Sequence, residues 1–134
     1  MNGVTVIRRL LSNSADVIAL VPAQAIQAGP LPQGAGLPSI SLMHVSGTDM
    51  NIPSPGANRF VTDRVQVTIL ASNYPQQKQV EAAVKKAAAD KFPDAETISR
   101  VTVHTAGRGP DSMNEEASIY MGSLDFRVTY NEPT

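Results

Sequence analysis

The sequence predicts an α+β fold, a mainly antiparallel sheet of about four to five strands with an N-terminal helix and one longer helix packed on one face. Three observations predict it. Val65, Val67 and Ile69 alternate with Arg64, Gln66 and Thr68, the period of a strand with one buried face. Leu124, Phe126, Val128 and Tyr130 repeat that alternation near the C-terminus. Helical spacing is confined to two segments, and short links between the strands favour hairpins over parallel crossovers.

The elements follow in order. Val4, Ile7, Leu10 and Leu11 fall at i, i+3, i+6 and i+7, which makes 3–12 an amphipathic helix with Arg8 and Arg9 outward. Ser14 is placed to cap a second short turn, Asp16 complements its dipole, and Pro22 ends it. Ala25 and Ile26 suit a short strand, and Gly29-Pro30-Leu31-Pro32-Gln33-Gly34-Ala35-Gly36 reads as a loop. Residues 39–46 form a strand with Ile40 and Leu42 on one face. Residues 47–58, with Gly47, Pro53, Pro55 and Gly56, read as a long loop that exposes Met50 and Ile52. Phe60 to Ser72 is the clearest strand.

Asn73 or Ser72 then caps the longer helix, with Pro75 in its first turn and Glu81 four residues before Lys85. Its buried stripe is Val80, Ala83, Val84 and Ala87, small residues that let it lie close to a sheet, and it stops at Phe92-Pro93. Residues 97–105 alternate around Val101 and Val103. The last strand, 118–130, alternates around Ile119 and Met121 and then around Leu124, so the change of phase at Gly122-Ser123 predicts a bulge. Between these two strands, 106–117 reads as a second long loop carrying Arg108, Asp111, Met113, Glu115 and Glu116.

The 134 residues suit a single domain, 1–134. Leu, Ile, Val and Phe make up about 24% of them, above the level at which chains stay disordered. Eleven basic residues against twelve acidic leave a net charge of −1, which argues against a partner held mainly through phosphates. The absence of cysteine excludes disulfides, thiolate metal sites and a Cys nucleophile. Three Tyr, three Phe and no Trp make a poor base-stacking platform. Arg8 and Arg9 precede an apolar stretch, but Ser12, Asn13, Ser14 and Asp16 interrupt it, so it does not read as a signal peptide. Residues 17–48 carry no formal charge, yet Pro22, Pro30, Pro32 and Pro38 rule out a spanning helix. The chain reads as soluble and made in a cytoplasm.

No constellation carries chemistry. Gly34-Ala35-Gly36 leads through Leu37-Pro38 into a strand, whereas a phosphate-cradling loop opens a helix. His44 and His104 are the only histidines and lack the spacing of metal ligands. Ser12, Ser14 and Ser112 lack a nucleophile-elbow setting. Glu115 and Glu116 are adjacent and point apart in an extended chain. Lys78, Lys85, Lys86 and Lys91 form a mild basic strip opposed by Glu81 and Asp90. No catalytic, cofactor-binding or metal residue is expected.

What remains is the pattern as a whole. Asp16-Val17-Ile18-Ala19-Leu20-Val21 follows the N-terminal helix, and Leu37-Pro38-Ser39-Ile40 follows a Pro-rich turn. Arg64-Val65-Gln66-Val67-Thr68-Ile69-Leu70-Ala71-Ser72 runs into Asn73-Tyr74 and an alanine-rich helix, and Ser123-Leu124-Asp125-Phe126-Arg127-Val128-Thr129-Tyr130 closes the chain. Together these resemble the tail completion, or tail terminator, proteins of long-tailed bacteriophages. The resemblance spans nearly the whole chain, through soft motifs and element order.

The resemblance implies a structural, non-enzymatic subunit of a homo-hexameric ring at the tail–neck junction of the virion. That ring caps the tail tube, stops its polymerisation and offers a docking surface to the head. Implied partners are further copies of the chain, the tail tube protein, a neck or head-completion protein and, for a contractile tail, the sheath protein. DNA would pass through the ring without sequence-specific binding, and no membrane and no cofactor are implied. Alternatives are a head–tail connector or stopper ring, a small-ligand or peptide-binding module, and a weak enzyme built on His44 and His104. The candidate contacts for assembly are Met50, Ile52, Arg59, Arg108, Met113 and Glu115, because exposed apolar residues in long loops often mark interfaces.

Overall fold

A computed structural model describes residues 2–30, 36–50, 56–116 and 118–134. Helix α1 (Gly3–Ser12) is capped by Asn2, whose side chain accepts from the Thr5 N–H at 3.0 Å. Ser14 caps α2 (Ala15–Leu20) by accepting from the Val17 N–H, and Asp16 lies in its first turn. A single 3-10 turn, Ala23–Ala25, precedes β1 (Ile26–Ala28), so Ala25 belongs to the turn and not to the strand. Then come β2 (Ser39–Met50), β3 (Asn58–Ala71), α3 (Tyr74–Ala88), β4 (Ser99–Arg108), β5 (Ser112–Asn114) and β6 (Ile119–Pro133).

The six strands form one sheet in the order β1-β2-β3-β6-β4, with β5 also beside β6. The sheet is mostly antiparallel, as expected; β1, which pairs with β2 in parallel, is the exception, and β5, inside the expected loop 106–117, brings the strand count to six. β3 and β6 pair from Asn58↔Pro133 to Ala71↔Tyr120 without interruption. No bulge therefore occurs at Gly122-Ser123. The inward positions of β6 are Tyr120, Gly122, Leu124, Phe126, Val128 and Tyr130, and Gly122 merely hides the alternation because it has no side chain. The register shifts lie elsewhere, between His44 and Ser46 in β2 and on both sides of the central part of β4.

Both predicted loops are corrected. Residues 47–50 continue β2, and Asn58 begins β3, so most of the described part of 47–58 is hairpin strand; residues 51–55 lie outside the described residues. Likewise 106–108 extend β4 and Ser112–Asn114 form β5, both paired with β6, so 106–117 is largely the interrupted second arm of a hairpin. Glycine and proline signals outweighed strand propensity in the sequence reading. In the fold, a long neighbouring strand supplies backbone partners to a segment that has no apolar alternation of its own.

Both helices cover one face. Gly3 at the start of α1 sits over Asp63, and Gly122 lies beneath Gln77 and Glu81 of α3. Asp63 and the Gly122 partner Ile69 share the inward parity of β3, so α1 and α3 pack on the same side of the sheet. A Cβ at Gly122 would collide with the Glu81 and Gln77 side chains, which is why glycine is needed for the close approach of α3. Asn73 caps α3, and its buried residues are Gln77, Val80, Ala83, Val84 and Ala88, with Ala87 only half-buried. α3 ends at Ala88, short of Phe92-Pro93, where Ala89 leaves the helical conformation and Asp90 takes φ 56°. The core joins Ile7, Leu11 and Val17 to Ile40, Leu42, Val65, Val67, Ile69 and Phe126. No described helix is long and apolar enough to cross a membrane.

Candidate functional site

The far part of β2 in the β2–β3 hairpin leaves the core behind, while β3 beside it stays buried on its inward face at Val61, Asp63 and Val65. Residues 39–42 of β2 are buried, whereas 43–50 are all exposed. On this arm Met43, Val45, Met50 and Phe60 are exposed apolar side chains, Met50 at 61%. Met50 lies directly opposite Phe60, and Met43 opposite Gln66, so Met43, Met50 and Phe60 share the sheet face turned away from the helices. Val45 marks the register shift between His44 and Ser46. Water would be a poor neighbour for this concentration of apolar surface, and a protein partner a good one.

On β3, opposite Gly47 in the exposed part of β2, the sequence puts a carboxylate where a core residue belongs. Asp63 has the inward parity of Val61 and Val65 and is 5% exposed. Its Oδ2 accepts the Tyr130 hydroxyl at 2.7 Å and the Gly3 N–H at 3.0 Å, and its Oδ1 lies 3.5 Å from His44 Nε2. Burial, and then the hydrogen bond to Asp63, push the Tyr130 hydroxyl well above the ordinary phenol range, so it stays a donor. Gly3 has no room for a Cβ against Asp63. These bonds tie the first turn of α1 to β3 and β6 beneath the exposed part of β2.

A second polar cluster fastens the β4–β5 connection to α3. Asp111 accepts from Tyr74 Oη at 2.8 Å, Gln77 Nε2 at 2.8 Å and Lys78 Nζ at 3.0 Å. Lys78 also pairs with Glu81 at 3.2 Å. Lys78, and then Tyr74, hold the Asp111 carboxyl below its usual value, while Asp111 and Glu81 raise the Lys78 ammonium above its own. Beside this connection, at the free edge of β4, a cavity of about 230 Å³ is lined by Lys85, Thr105, Gly107, Arg108, Leu124 and Asp125. Arg64 bonds Asp125 Oδ2 through Nη2 at 2.7 Å and Nε at 2.8 Å. Lys85 and Arg108 form no ion pair among the described residues.

The expected contact residues separate into groups. Met50 ends β2, fully on the arm. Arg59 lies nearby on β3, 3.8 Å from Glu132. Arg108 is exposed at the end of β4 and lines the cavity. Met113 is exposed on β5, and Glu115 is exposed in the turn that follows. Ile52 and Gly34 lie outside the described residues. Sequence reasoning missed Met43, Val45 and Phe60. Phe60 was legible, since it has the polar parity of Arg64 and Gln66; Val45 was not, because only pairing reveals a register shift.

The histidines stand apart. His104 Nδ1 lies 2.8 Å from Asp90 Oδ1 on the surface, remote in the sheet from His44 and Asp63. Of the basic strip, Lys78 is bound to Asp111 and Lys86 pairs with Asp16 at 3.1 Å. Lys91 forms an isolated backbone bridge with Val103. Among the described residues, no group of three His, Asp or Glu side chains is placed to hold a metal.

A family model described as tail completion protein gp17 matches residues 5–131. The chain belongs to that family. It is accordingly a structural protein of the bacteriophage tail, and its place is the virion. No curated protein matches its sequence. Its fold is similar to that of a chain in the virion of a native gene transfer agent particle, with a TM-score of 0.72 at 16% identity. The likeness covers 98% of this chain and 99% of the other. In this tail completion protein, the far part of β2 and the outer edge of β4 are open surfaces of the sheet among the described residues.

Proposed function

We propose that the protein forms a homo-hexameric ring at the tail–neck junction, where it caps the tail tube, stops its polymerisation and presents a docking surface to the head. The observation that carries this reading is the exposed outer part of the β2–β3 hairpin, where Met43, Val45, Met50 and Phe60 are large exposed apolar side chains of a tail completion protein. A subunit that works through its surfaces needs such a patch, and a closed ring needs each copy to offer different surfaces to its two neighbours. The similar fold found in a gene transfer agent virion is consistent with a role inside an assembled particle. The tail tube protein, a neck protein and, in a contractile tail, the sheath protein are the partners this reading requires.

The test is to add purified protein to polymerising tail-tube subunits and measure tube lengths by electron microscopy. Capping shortens and narrows the length distribution. Tubes that grow as long as those without the protein would sink the reading. Light scattering on the capping species should report six times the 14.2 kDa chain mass.

A further inference from the structure

A ring leaves open which surfaces meet, and two of them match. We propose that the distal edge of β2 in one copy adds antiparallel to the Thr105–Arg108 end of β4 in the next, with Asp49 of the first copy seated between Lys85 and Arg108 of the second. The inference rests on the ring reading and names its subunit interface.

The first observation is an open edge. β1 pairs with β2 only at Ile40, Gln27's partner Ser41, and Leu42, so residues 43–50 have no strand beside them on that side among the described residues. An exposed edge strand is a template for another strand unless Lys, Pro or a covering element blunts it. Residues 43–50 hold no Lys, Arg or Pro, and their one carboxylate is Asp49. Asp49 is exposed and has no ion pair among the described residues.

The second observation is at the opposite edge. Lys91 closes β4 at Val103 through two backbone hydrogen bonds of 2.9 and 3.3 Å. Beyond that bridge, Thr105–Arg108 borders the 230 Å³ cavity, where Lys85 and Arg108 project without ion-pair partners. Asp125 also lines the cavity, but Arg64 neutralises it. An acidic side chain is the complementary occupant.

Direction and face agree as well. β2, β3, β6 and β4 are successively antiparallel, so β2 and β4 run oppositely; because Arg108 stands level with Leu42, copies in one orientation, staggered along the strands by about seven residues, bring the distal β2 edge and the end of β4 together as an antiparallel ladder. Asp49 lies opposite Val61 and Arg108 opposite Leu124, both on the helix-covered side, and Lys85 comes from α3 on that same side. The contact joins unlike edges, as a closed ring requires.

Charge reversal tests the pairing on tail-tube ends, scored as the fraction carrying a ring by electron microscopy. Asp49→Lys, and separately Lys85→Glu with Arg108→Glu, should each raise the protein concentration for half-capping by about tenfold or more. The triple variant should return to within about threefold of the unaltered protein. Because the chain has no cysteine, Asp49→Cys with Arg108→Cys adds a direct measure. Oxidation of capped ends should give covalent ladders up to six chains on a non-reducing gel. The proposal falls if rings form but Asp49→Lys caps normally, if the triple variant caps no better than its parents, or if no ladder appears. If the unaltered protein leaves tube ends bare, the ring reading fails first and takes this interface with it.

Discussion

Two halves of the same hairpin make the most instructive contrast in the molecule. Residues 39–42 of β2 are buried and face β3 positions that hold the core, whereas residues 43–50 are exposed throughout. The backbone ladder to β3 nevertheless runs through both halves, from Ser39↔Leu70 to Met50↔Phe60, with one shift near Val45. The difference shows that a strand can be held by pairing alone once its neighbour is anchored. β3 is anchored along its whole length by β6, so its outer half carries β2 beyond the core. The side chains on that outer half are then free for contacts with other molecules.

That contrast sets a ranking of effects. Leu42→Ala empties a fully buried position in the inner half of β2 and should cost about 2–5 kcal/mol by thermal or urea unfolding. The same truncation at Phe60 should cost less than about 1 kcal/mol. Comparable losses at both sites would erase the distinction between the halves. Beneath the exposed part of β2, Asp63→Ala strands the Tyr130 hydroxyl and the Gly3 N–H, at about 1–3 kcal/mol for each buried group left without a partner. Faster amide exchange in the first turn of α1 would mark this damage as local to the junction. On the other side of the core, Gly122→Ala pushes against Gln77 and Glu81 and should cost about 1–3 kcal/mol, measured by chemical unfolding.

A smaller effect concerns the clamp at Asp111. Its carboxyl titrates below the ordinary aspartate value because Lys78, then Tyr74, bond the charged form. A lowered value in the folded state means that the contribution is complete above the unfolded aspartate range and is lost as pH falls through the folded one. Amide exchange in residues 109–114 should therefore quicken in acid while remaining slow at neutral pH. Asp111→Asn should flatten that dependence; an unchanged profile would remove the clamp from the account. Smallest of all, Met50→Ser should shift stability by no more than about 0.5 kcal/mol while weakening the capping of tube ends. A large loss of stability would place Met50 in the core of its own chain.

Much of the buried half was legible in the sequence. Val65, Val67 and Ile69, then Leu124, Phe126 and Val128, carry a period of two because one face must leave water and the other need not. Asn73, Pro75 and the Val80–Val84 stripe announced α3 for the same kind of reason. The exposed arm was not legible as strand, because a segment with no buried face shows no alternation. Gly47, Pro53 and Pro55 then dominated the reading of 47–58, and the short β5 was lost inside 106–117. Of the candidate contacts, Met50, Arg108 and Met113 were named for their chemistry, and all three are exposed. The meeting of Asp63 with Gly3, His44 and Tyr130 spans positions far apart in the chain, so no spacing rule could show it.

The sequence by itself determined the α+β class, the caps of α2 and α3, the inward faces of the long strands and the resemblance to tail completion proteins, all of which depend on local periodicity and order along the chain. Tertiary structure alone decided that 47–50 is strand, that Gly122 interrupts nothing, and that Lys85 and Arg108 share a cavity at the sheet edge. Those outcomes rest on partners supplied by distant segments. Backbone pairing and the juxtaposition of charges are properties of the folded neighbourhood, not of the residues taken in sequence.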